Sequence, residues 1–204
     1  MTVSRNVNAR VACEIRDEVN KLDDDGELRP RKALERLASF GVAALPQLVH
    51  GATLDSRVRV RRWCAEALGG FDDSSAGVAL RCALADANMS VRLHALRGII
   101  RHGRTGMSAH VLPLAHDSSP GVRQAAVRAI GRLRARGAGT ALVAALRDEK
   151  WHVRQAAAEA LAELRWKGAR KSLVAATADA RPAVRDAAKR ALDALQRNRS
   201  PDDP

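Results

Sequence analysis

The sequence predicts an all-α fold made of about six two-helix repeats with a period of 31 residues. Aspartates recur at that interval, and a Val-Arg pair begins five residues after each of them without a slip in register. Hydrophobic residues make up 46% of the chain but aromatic residues only 2%, so the core must consist mainly of Ala, Leu, Val and Ile. The repeating residues are Asp55, Asp86, Asp117, Asp148 and Asp179, with Arg61, Arg92, Arg123, Arg154 and Arg185.

Each repeat is predicted to contain two helices, which we call helix A and helix B. After each aspartate, apolar residues at offsets 5, 9, 13 and 16 fall on one face of a helix with 3.6 residues per turn, which is helix B. A second apolar set before each aspartate, such as Leu142 and Ala145, marks helix A. Glycines between helix B and the next helix A, namely Gly106, Gly137 and Gly168, indicate where helices end.

The two ends of the chain depart from the pattern. Residues 8–54 are predicted to form a degenerate N-terminal capping region, because Arg29 and Pro30 stand where Val-Arg is expected. Pro30 suits the first turn of a helix. The regular repeats span 55–195 and end in a polar helix B, as the terminal repeat of such an array requires. We expect a disordered tail over 196–204 and one repeat domain over 1–204.

The sequence also indicates the cellular compartment of the protein. No apolar run approaches the roughly 20 residues of a membrane span, and the first ten residues lack the pattern of a secretory signal. Cys13, Cys64 and Cys82 form no C-x-x-C pair and leave an odd thiol, which fits a reducing compartment. We therefore expect a cytoplasmic protein without membrane contact. Nothing in the sequence indicates an oligomeric state.

The positive charge is unevenly distributed. The formal net charge is +12, yet residues 1–85 contain 13 basic and 12 acidic side chains while residues 86–204 contain 22 and 11. An excess of this kind indicates an acidic partner. An acidic protein or peptide is the principal expectation, with nucleic acid as the alternative.

The order Asp, then Val-Arg, then Ala-Ala and Ala-Leu or Ala-Ile resembles the short HEAT-like repeats of the phycobilisome-lyase type over about residues 24–195. The resemblance implies a right-handed α-α superhelix whose helices B line the concave surface. It also implies that the repeating Asp and Arg columns form an internal ladder of side-chain bonds. Such repeats occur in scaffolds, chromophore lyases, hydroxylases and DNA glycosylases, so the fold does not by itself determine the function.

A basic groove is predicted on the face of helix B opposite the buried columns. Its four arginines have no acidic neighbour on their own helices, whereas in an earlier repeat Arg62 precedes Glu66 by four residues and can pair with it. As an alternative, Glu159 and Glu163 occupy the same offsets in the following repeat and can neutralise the second pair of arginines. The basic groove consists of Arg97, Arg101, Arg128 and Arg132.

A basic rim is predicted at the turns from helix B into the next helix A, where the earlier equivalent turn holds Asp72 and Asp73. Its regular interval suits a phosphate backbone. The tryptophan in it either stacks on a base or partner side chain or folds over a helix end. The basic rim consists of Arg104, Arg134, Arg136, Arg165, Trp166, Lys167, Arg170 and Lys171.

The sequence offers little sign of catalysis. The six histidines include no H-E-x-x-H and no His-Glu dipeptide, which disfavours the HEAT-like hydroxylases that hold two irons, and no phosphate-binding or G-x-S-x-G motif occurs. HEAT-like DNA glycosylases need aromatic residues around a catalytic acid, and Trp63 with Glu66 is the nearest arrangement. No chromophore-handling residue of a bilin lyase can be assigned. We expect no catalytic residue, metal or cofactor.

These observations favour a non-enzymatic binding scaffold that uses the concave helix-B surface and the basic rim to hold an acidic partner. Two alternatives remain open. One is a nucleic-acid-binding protein related to the HEAT-like DNA glycosylases, and the other, less favoured, is a lyase of the bilin-lyase type.

Overall fold

The computed structural model describes residues 2–26, 28–135 and 137–197, with side chains from Ala9 onward. Within these residues it contains twelve α-helices joined by turns and short 3₁₀ segments, and no strand. The predicted all-α fold of two-helix repeats is therefore confirmed. The helices are α1 (Thr2–Asn20), α2 (Leu28–Ser39), α3 (Leu45–Thr53), α4 (Val58–Leu68), α5 (Ser74–Leu84), α6 (Met89–Arg101), α7 (Ser108–Val111), α8 (Pro120–Arg132), α9 (Gly139–Ala145), α10 (Trp151–Leu164), α11 (Arg170–Ala176) and α12 (Pro182–Gln196).

The chain forms two compact units, and the first of them ends at His102. It contains three helix pairs, α1 with α2, α3 with α4, and α5 with α6, in which α4 packs against both α3 and α6. Pro30 lies in the first turn of α2, as its fixed backbone angle favours. Ile15, Leu22 and Leu37 are fully buried, so the N-terminal pair contributes to the core although its repeat pattern is weak.

The second unit begins at Gly103 and contains α7 to α12. Its helices B are α8, α10 and α12, and α10 packs against the other two. The first helix A of this unit is short, because α7 ends at Val111 and continues as a 3₁₀ segment over Leu112–His116. Pro113 has no amide hydrogen to donate there, which favours the early end of the α-helix.

The apolar columns of helix B are buried as the period predicts. The valine column is at most 1% exposed in all five regular repeats, and the small residues four positions later are completely buried. These columns pack each helix B against its neighbours within its unit. The valines are Val60, Val91, Val122, Val153 and Val184, and the small residues are Cys64, Ala95, Ala126, Ala157 and Ala188.

Small residues also bring neighbouring helices B close together. In the first unit a Cβ atom at Gly69 would overlap the backbone of Gly98, and in the second a Cβ at Gly131 would lie 2.8 Å from Ala160 Cα. The two contacts use equivalent positions of the repeat. No helix in the described part of the chain is long and apolar enough to cross a membrane.

Candidate binding surfaces

The repeating arginines and aspartates bond to one another between successive repeats within each unit. In every pair a second guanidinium nitrogen donates to the other carboxylate oxygen, so the contact is bidentate, a geometry that only arginine provides. Arg61 Nε donates to Asp86 Oδ2 at 2.9 Å, Arg123 Nε to Asp148 Oδ2 at 2.7 Å, and Arg154 Nε to Asp179 Oδ2 at 2.7 Å.

The same side chains also bond to the backbone of the turn before helix B. Asp148 Oδ1 accepts from the Lys150 amide at 2.9 Å, and Arg154 Nη1 donates to the carbonyl oxygens of Asp148 and Glu149. Equivalent aspartate contacts recur at the other four repeats, as do the arginine contacts to the aspartate carbonyl. The ladder therefore fixes the turns as well as linking repeats.

Asp55 begins the ladder in a different way. Position 30, from which the preceding repeat would supply an arginine, is proline, so Asp55 has no donor from that repeat. Arg57 takes its place, because its Nε donates to Asp55 Oδ1 at 2.9 Å and its Nη2 donates to Oδ2 at 2.8 Å. At the weakened N-terminal repeat, the local ion pair between Arg57 and Asp55 therefore replaces the bond from the preceding repeat.

Ladder bonds shift the acid strengths of their carboxyl groups. The hydrogen bond from Arg154 lowers the pKa of Asp179, and the bond from Arg57 lowers the pKa of Asp55. Burial raises the pKa of Asp148, but the bonds from Arg123 and the Lys150 amide more than offset it, so the net shift is downward. All three carboxylates are therefore held in the charged form that the ladder requires.

Arg97 and Arg101, two of the four groove residues, lie on α6 in the first unit. Arg101 is not a free cation, because its Nη2 lies 2.5 Å from Oε1 of Glu66 on α4. His94 Nδ1 lies 2.8 Å from the other oxygen of Glu66, and Arg97 Nη1 lies 3.4 Å from His94 Nε2. The predicted pairing of Glu66 within its own helix is wrong, since this carboxylate faces α6.

Glu66 is a buried charge that sequence reasoning assigned to the surface. Its side chain is 5% exposed, and the guanidinium of Arg62 lies instead over the ring of the buried Trp63. Burial raises the pKa of Glu66. The hydrogen bond from His94 and the nearby positive charges lower this pKa by more than burial raises it, so the net shift is downward. His94 packs edge-on to Trp63, so this cluster fills the space between α4 and α6.

Arg128 and Arg132, the other two groove residues, are exposed on α8 in the second unit. Within the described part of this unit, neither forms an ion pair. The alternative in which Glu159 and Glu163 neutralise them is not observed, because neither acid forms an ion pair with Arg128 or Arg132 within the described residues. Glu159 Oε1 instead accepts from Gln155 at 2.8 Å and lies 4.0 Å from Arg190. Two positive side chains of the groove therefore remain exposed in this unit.

Arg134 and Arg165 of the basic rim have left-handed backbone conformations, with φ of 48° and 50°. They occupy the same position of the repeat, immediately beyond the end of helix B, where Gly41 and Gly103 have φ of 56° and 62°. Left-handed geometry is unfavourable for a residue with a Cβ and costs about 1–2 kcal/mol. Two repeats thus hold exposed arginines in a conformation for which two other repeats use glycine.

Trp166 lies in the basic turn after α10, and its ring contacts the residue that follows the basic turn after α8. A Cβ atom at Gly139, the first residue of α9, would overlap the indole ring, and one at Gly168 would lie 2.7 Å from Trp166 Cζ2. The ring is therefore half-buried against the start of α9, as in the sequence-based alternative of a tryptophan folded over a helix end. This contact places the turn after α10 beside the turn after α8.

The remaining rim residues lie around these turns. Lys167, Arg170 and Lys171 are exposed, and Arg104 is half-buried. Arg136 lies outside the described residues, as do positions 198–204 of the predicted tail, while α12 extends to Gln196. The second unit, 103–204, has 19 basic and 10 acidic side chains, against 16 and 13 in the first.

The described residues contain no group of three or more His, Cys, Asp or Glu side chains that could hold a metal ion. Sequence reasoning missed two features. The first is the buried Glu66–His94 pair, whose members are 28 residues apart and carry no joint signal in the sequence. The second is the left-handed position of Arg134 and Arg165, which the glycines in the same column could have indicated.

A family model described as HEAT repeats matches residues 78–148 and 108–193, more than half of the chain. None of the curated proteins matches the chain. Among solved structures, the Escherichia coli protein YIBA is 21% identical with a TM-score of 0.72, over 93% of this chain and 78% of that one. A designed armadillo repeat protein in complex with the peptide (KR)4 is 21% identical with a TM-score of 0.60, over 89% and 99%.

Human deoxyhypusine hydroxylase in complex with glycerol is also similar, with 21% identity and a TM-score of 0.51 over 90% of this chain and 84% of that one. At these identities the likeness to solved structures concerns the fold alone.

Proposed function

The chain belongs to the HEAT-repeat family, and we propose that it is a non-enzymatic binding scaffold whose second unit holds an acidic protein or peptide on its basic rim. The observation that carries the proposal is the pair of exposed arginines, Arg134 and Arg165, kept at equivalent repeat positions in a left-handed conformation. Backbone strain of this kind persists where the surrounding structure fixes it and often marks functional positions.

Neighbouring residues extend the positive surface. Arg128 and Arg132 are exposed on α8, which leads directly into the turn that holds Arg134. Lys167, Arg170 and Lys171 belong to the turn after Arg165 and the start of α11. Solvent screening makes any single exposed charge a weak contributor, so we expect binding to depend on several of them acting together.

The repeat suggests the spacing of charges on the partner. Adjacent packed helices lie about 8–10 Å apart, and equivalent turns repeat at a comparable interval. In an extended peptide, which rises about 3.3 Å per residue, the same interval separates every third residue. We therefore propose an extended segment with an acidic residue at every third position. The designed armadillo protein binds, by its description, the basic peptide (KR)4, and a basic rim calls for a peptide of the opposite charge.

The proposal is tested by fluorescence anisotropy with two labelled peptides of equal length and equal charge. One places glutamate at every third position and the other places all its glutamates in one block. At about 0.15 M salt we expect the spaced peptide to bind the full chain more tightly. The variant with Arg134→Glu and Arg165→Glu should abolish this binding.

A matched control carries Arg16→Glu and Arg81→Glu, two exposed arginines of the first unit, and changes the net charge by the same amount. It should bind as the unmodified chain does. Equal loss in both variants would show that only the net charge matters, and the rim proposal would then be wrong. Tight binding of duplex or single-stranded DNA with no binding of either peptide would replace the acidic-peptide proposal by nucleic-acid binding.

A further inference from the structure

The first unit contains an open cavity of about 570 Å³ between the end of α1 and the first half of α2. This volume lies within the range typical of small-molecule sites. Basic side chains form most of the lining, together with one acid and one buried alanine. The lining residues are Glu18, Lys21, Arg29, Lys32, Ala33 and Arg36.

Three of the basic residues form a row along α2. Arg29, Lys32 and Arg36 are separated by three and four residues, a spacing that brings side chains to the same side of a helix. At a rise of 1.5 Å per residue, the row from Arg29 to Arg36 is about 10 Å long. A row of this length offers cations to two separate anionic groups rather than to one.

A buried carboxylate holds two of the cations in place. The Glu18 side chain is 9% exposed, and its Oε1 lies 2.7 Å from Lys21 Nζ and 3.4 Å from Arg36 Nε. A buried carboxylate needs such partners because its desolvation is otherwise costly. The Arg36 guanidinium also lies over the Phe40 ring, 6.0 Å from its centre. Glu18 therefore fixes Lys21 and Arg36 at one part of the cavity wall and neutralises one of their two charges.

The other two cations of the lining differ in their partners. Arg29 Nη1 donates to Asp24 Oδ2 at 3.1 Å, and the other oxygen of Asp24 accepts from the Gly26 amide at 2.9 Å. Lys32 is exposed and forms no ion pair within the part of the chain that the structure describes. Four lining cations are thus paired with two carboxylates, Glu18 and Asp24, and an excess of two positive charges remains.

The other acids of this region do not line the cavity, and they include Glu14, Asp17 and Glu35 on α1 and α2. Asp23 lies 3.9 Å from Arg57, and Asp25 forms an ion pair with Arg59. The C-terminal end of α1 and the N-terminal end of α2 both lie at the cavity, and their partial charges of about half a unit have opposite signs and largely cancel. The lining side chains therefore give the cavity a positive potential.

We infer that this cavity binds a small soluble molecule with two phosphate groups. One phosphate group would lie between Lys21 and Arg36, and the other between Arg29 and Lys32. Arginine binds phosphate oxygens through two parallel N–H bonds, and lysine binds them as a point charge. Ala33, on the same face of α2, is buried and small, which leaves room for the body of the ligand. This site is independent of the proposed function, since it uses residues of the first unit alone.

Isothermal titration calorimetry of the full chain with fructose 1,6-bisphosphate, fructose 6-phosphate and fructose tests this inference. At about 0.15 M salt we expect saturable binding of both phosphates and none of fructose. The bisphosphate should bind about tenfold more tightly than the monophosphate, because its second phosphate forms a second set of charge-assisted hydrogen bonds. Equal affinity for the two phosphates, or no saturable binding of either, would overturn the inference.

The headgroup of a phosphorylated inositol lipid carries the same chemistry as a soluble bisphosphate. Co-sedimentation with phosphatidylcholine vesicles, with and without phosphatidylinositol 4,5-bisphosphate, distinguishes the two sources. We expect the chain to bind the sugar bisphosphate in solution and to stay in the supernatant with either vesicle. Binding to the inositol-lipid vesicles without any binding of the sugar bisphosphate would contradict the inference of a soluble ligand.

Two matched variants locate the binding. Arg29→Gln with Lys32→Gln removes one pair of cations and should lower the affinity for the bisphosphate to that for the monophosphate, which the other pair still binds. The control, Arg16→Gln with Arg81→Gln, removes two exposed arginines outside the cavity and changes the net charge by the same amount. It should bind both ligands as the unmodified chain does. A control that loses affinity as much as the cavity variant would reduce the effect to net charge and refute the site.

Circular dichroism checks that each variant is folded. If the cavity variant is not, the amide chemical shifts of the unmodified chain during titration with the bisphosphate decide the question. Changes around Leu22 and Ala33 support the cavity, and changes confined to other residues count against it. Arg134→Glu with Arg165→Glu should leave the binding of the bisphosphate unchanged, so the two proposals fail separately.

Discussion

Replacing both left-handed arginines of the rim, Arg134 and Arg165, by glycine is expected to leave the stability of the protein nearly unchanged while making it a weaker binder. Glycine adopts positive φ without a steric penalty, so each substitution relieves about 1–2 kcal/mol of backbone strain. Two terms oppose this gain. Glycine loses about 0.5–1 kcal/mol more conformational entropy on folding, and removal of a cation near a helix C-terminus costs about 0.3–1 kcal/mol at an exposed position.

With the midpoints of these terms combined, about 1.5 kcal/mol of relieved strain at each site is offset by about 1.4 kcal/mol of lost entropy and helix-end attraction. We therefore expect the free energy of unfolding of the double variant to lie within about 1 kcal/mol of that of the unmodified chain, or within about 2–4 °C in Tm for a chain of this length. Urea unfolding followed by circular dichroism measures the free energy of unfolding, and anisotropy with the spaced acidic peptide measures binding. A double variant that is less stable than the unmodified chain by 1 kcal/mol or more would refute the strain argument.

Two controls separate strain from charge. Arg134→Ala with Arg165→Ala removes the same charges but keeps a Cβ, so it should bind as weakly as the glycine variant and be less stable than it. The reciprocal change, Gly103→Ala, introduces a Cβ at φ 62° where no atom lies within 4 Å. Any loss of stability from it therefore comes from the backbone alone, and we expect about 1 kcal/mol.

Three further results are expected. Arg123→Ala removes a bidentate pair to Asp148 and should lower the free energy of unfolding by about 2–3 kcal/mol in urea titrations, whereas a change below 0.5 kcal/mol would make the ladder incidental. Because the pKa values of Asp148 and Asp179 are lowered, their charged forms contribute fully to the free energy of unfolding above about pH 4. This contribution is lost as the pH falls through the lowered pKa values, so Asp148→Asn should flatten acid unfolding curves. Gly139→Ala should displace the Trp166 ring and redshift its fluorescence, and an unchanged spectrum would contradict the described contact.

The repeat framework could be predicted from the sequence because it depends on short-range periodicity. The valine column from Val60 to Val184 is buried in all five regular repeats, and the 25-residue step from Arg123 to Asp148 recurs within the units from Arg61 to Asp86 and from Arg154 to Asp179. Even the irregular start is explained by one residue, since Pro30 removes the arginine that would otherwise reach Asp55.

Pairing between individual side chains could not be predicted in the same way. Glu66 has Arg62 one turn away on its own helix, yet it bonds to Arg101, which is 35 residues distant. The choice depends on burial, because Glu66 faces the interface of α4 and α6 and Arg62 lies over Trp63. A helical pattern shows which residues share a face but does not show which neighbour of the next helix comes within hydrogen-bonding distance.

The turn after helix B is the place where this chain changes charge without changing its fold. One repeat position is occupied in succession by Gly41, Asp72, Gly103, Arg134 and Arg165, and the four of these whose φ is positive keep nearly the same backbone conformation. Glycine is the residue that this conformation favours, so Arg134 and Arg165 add positive charge to these turns at a cost in backbone strain.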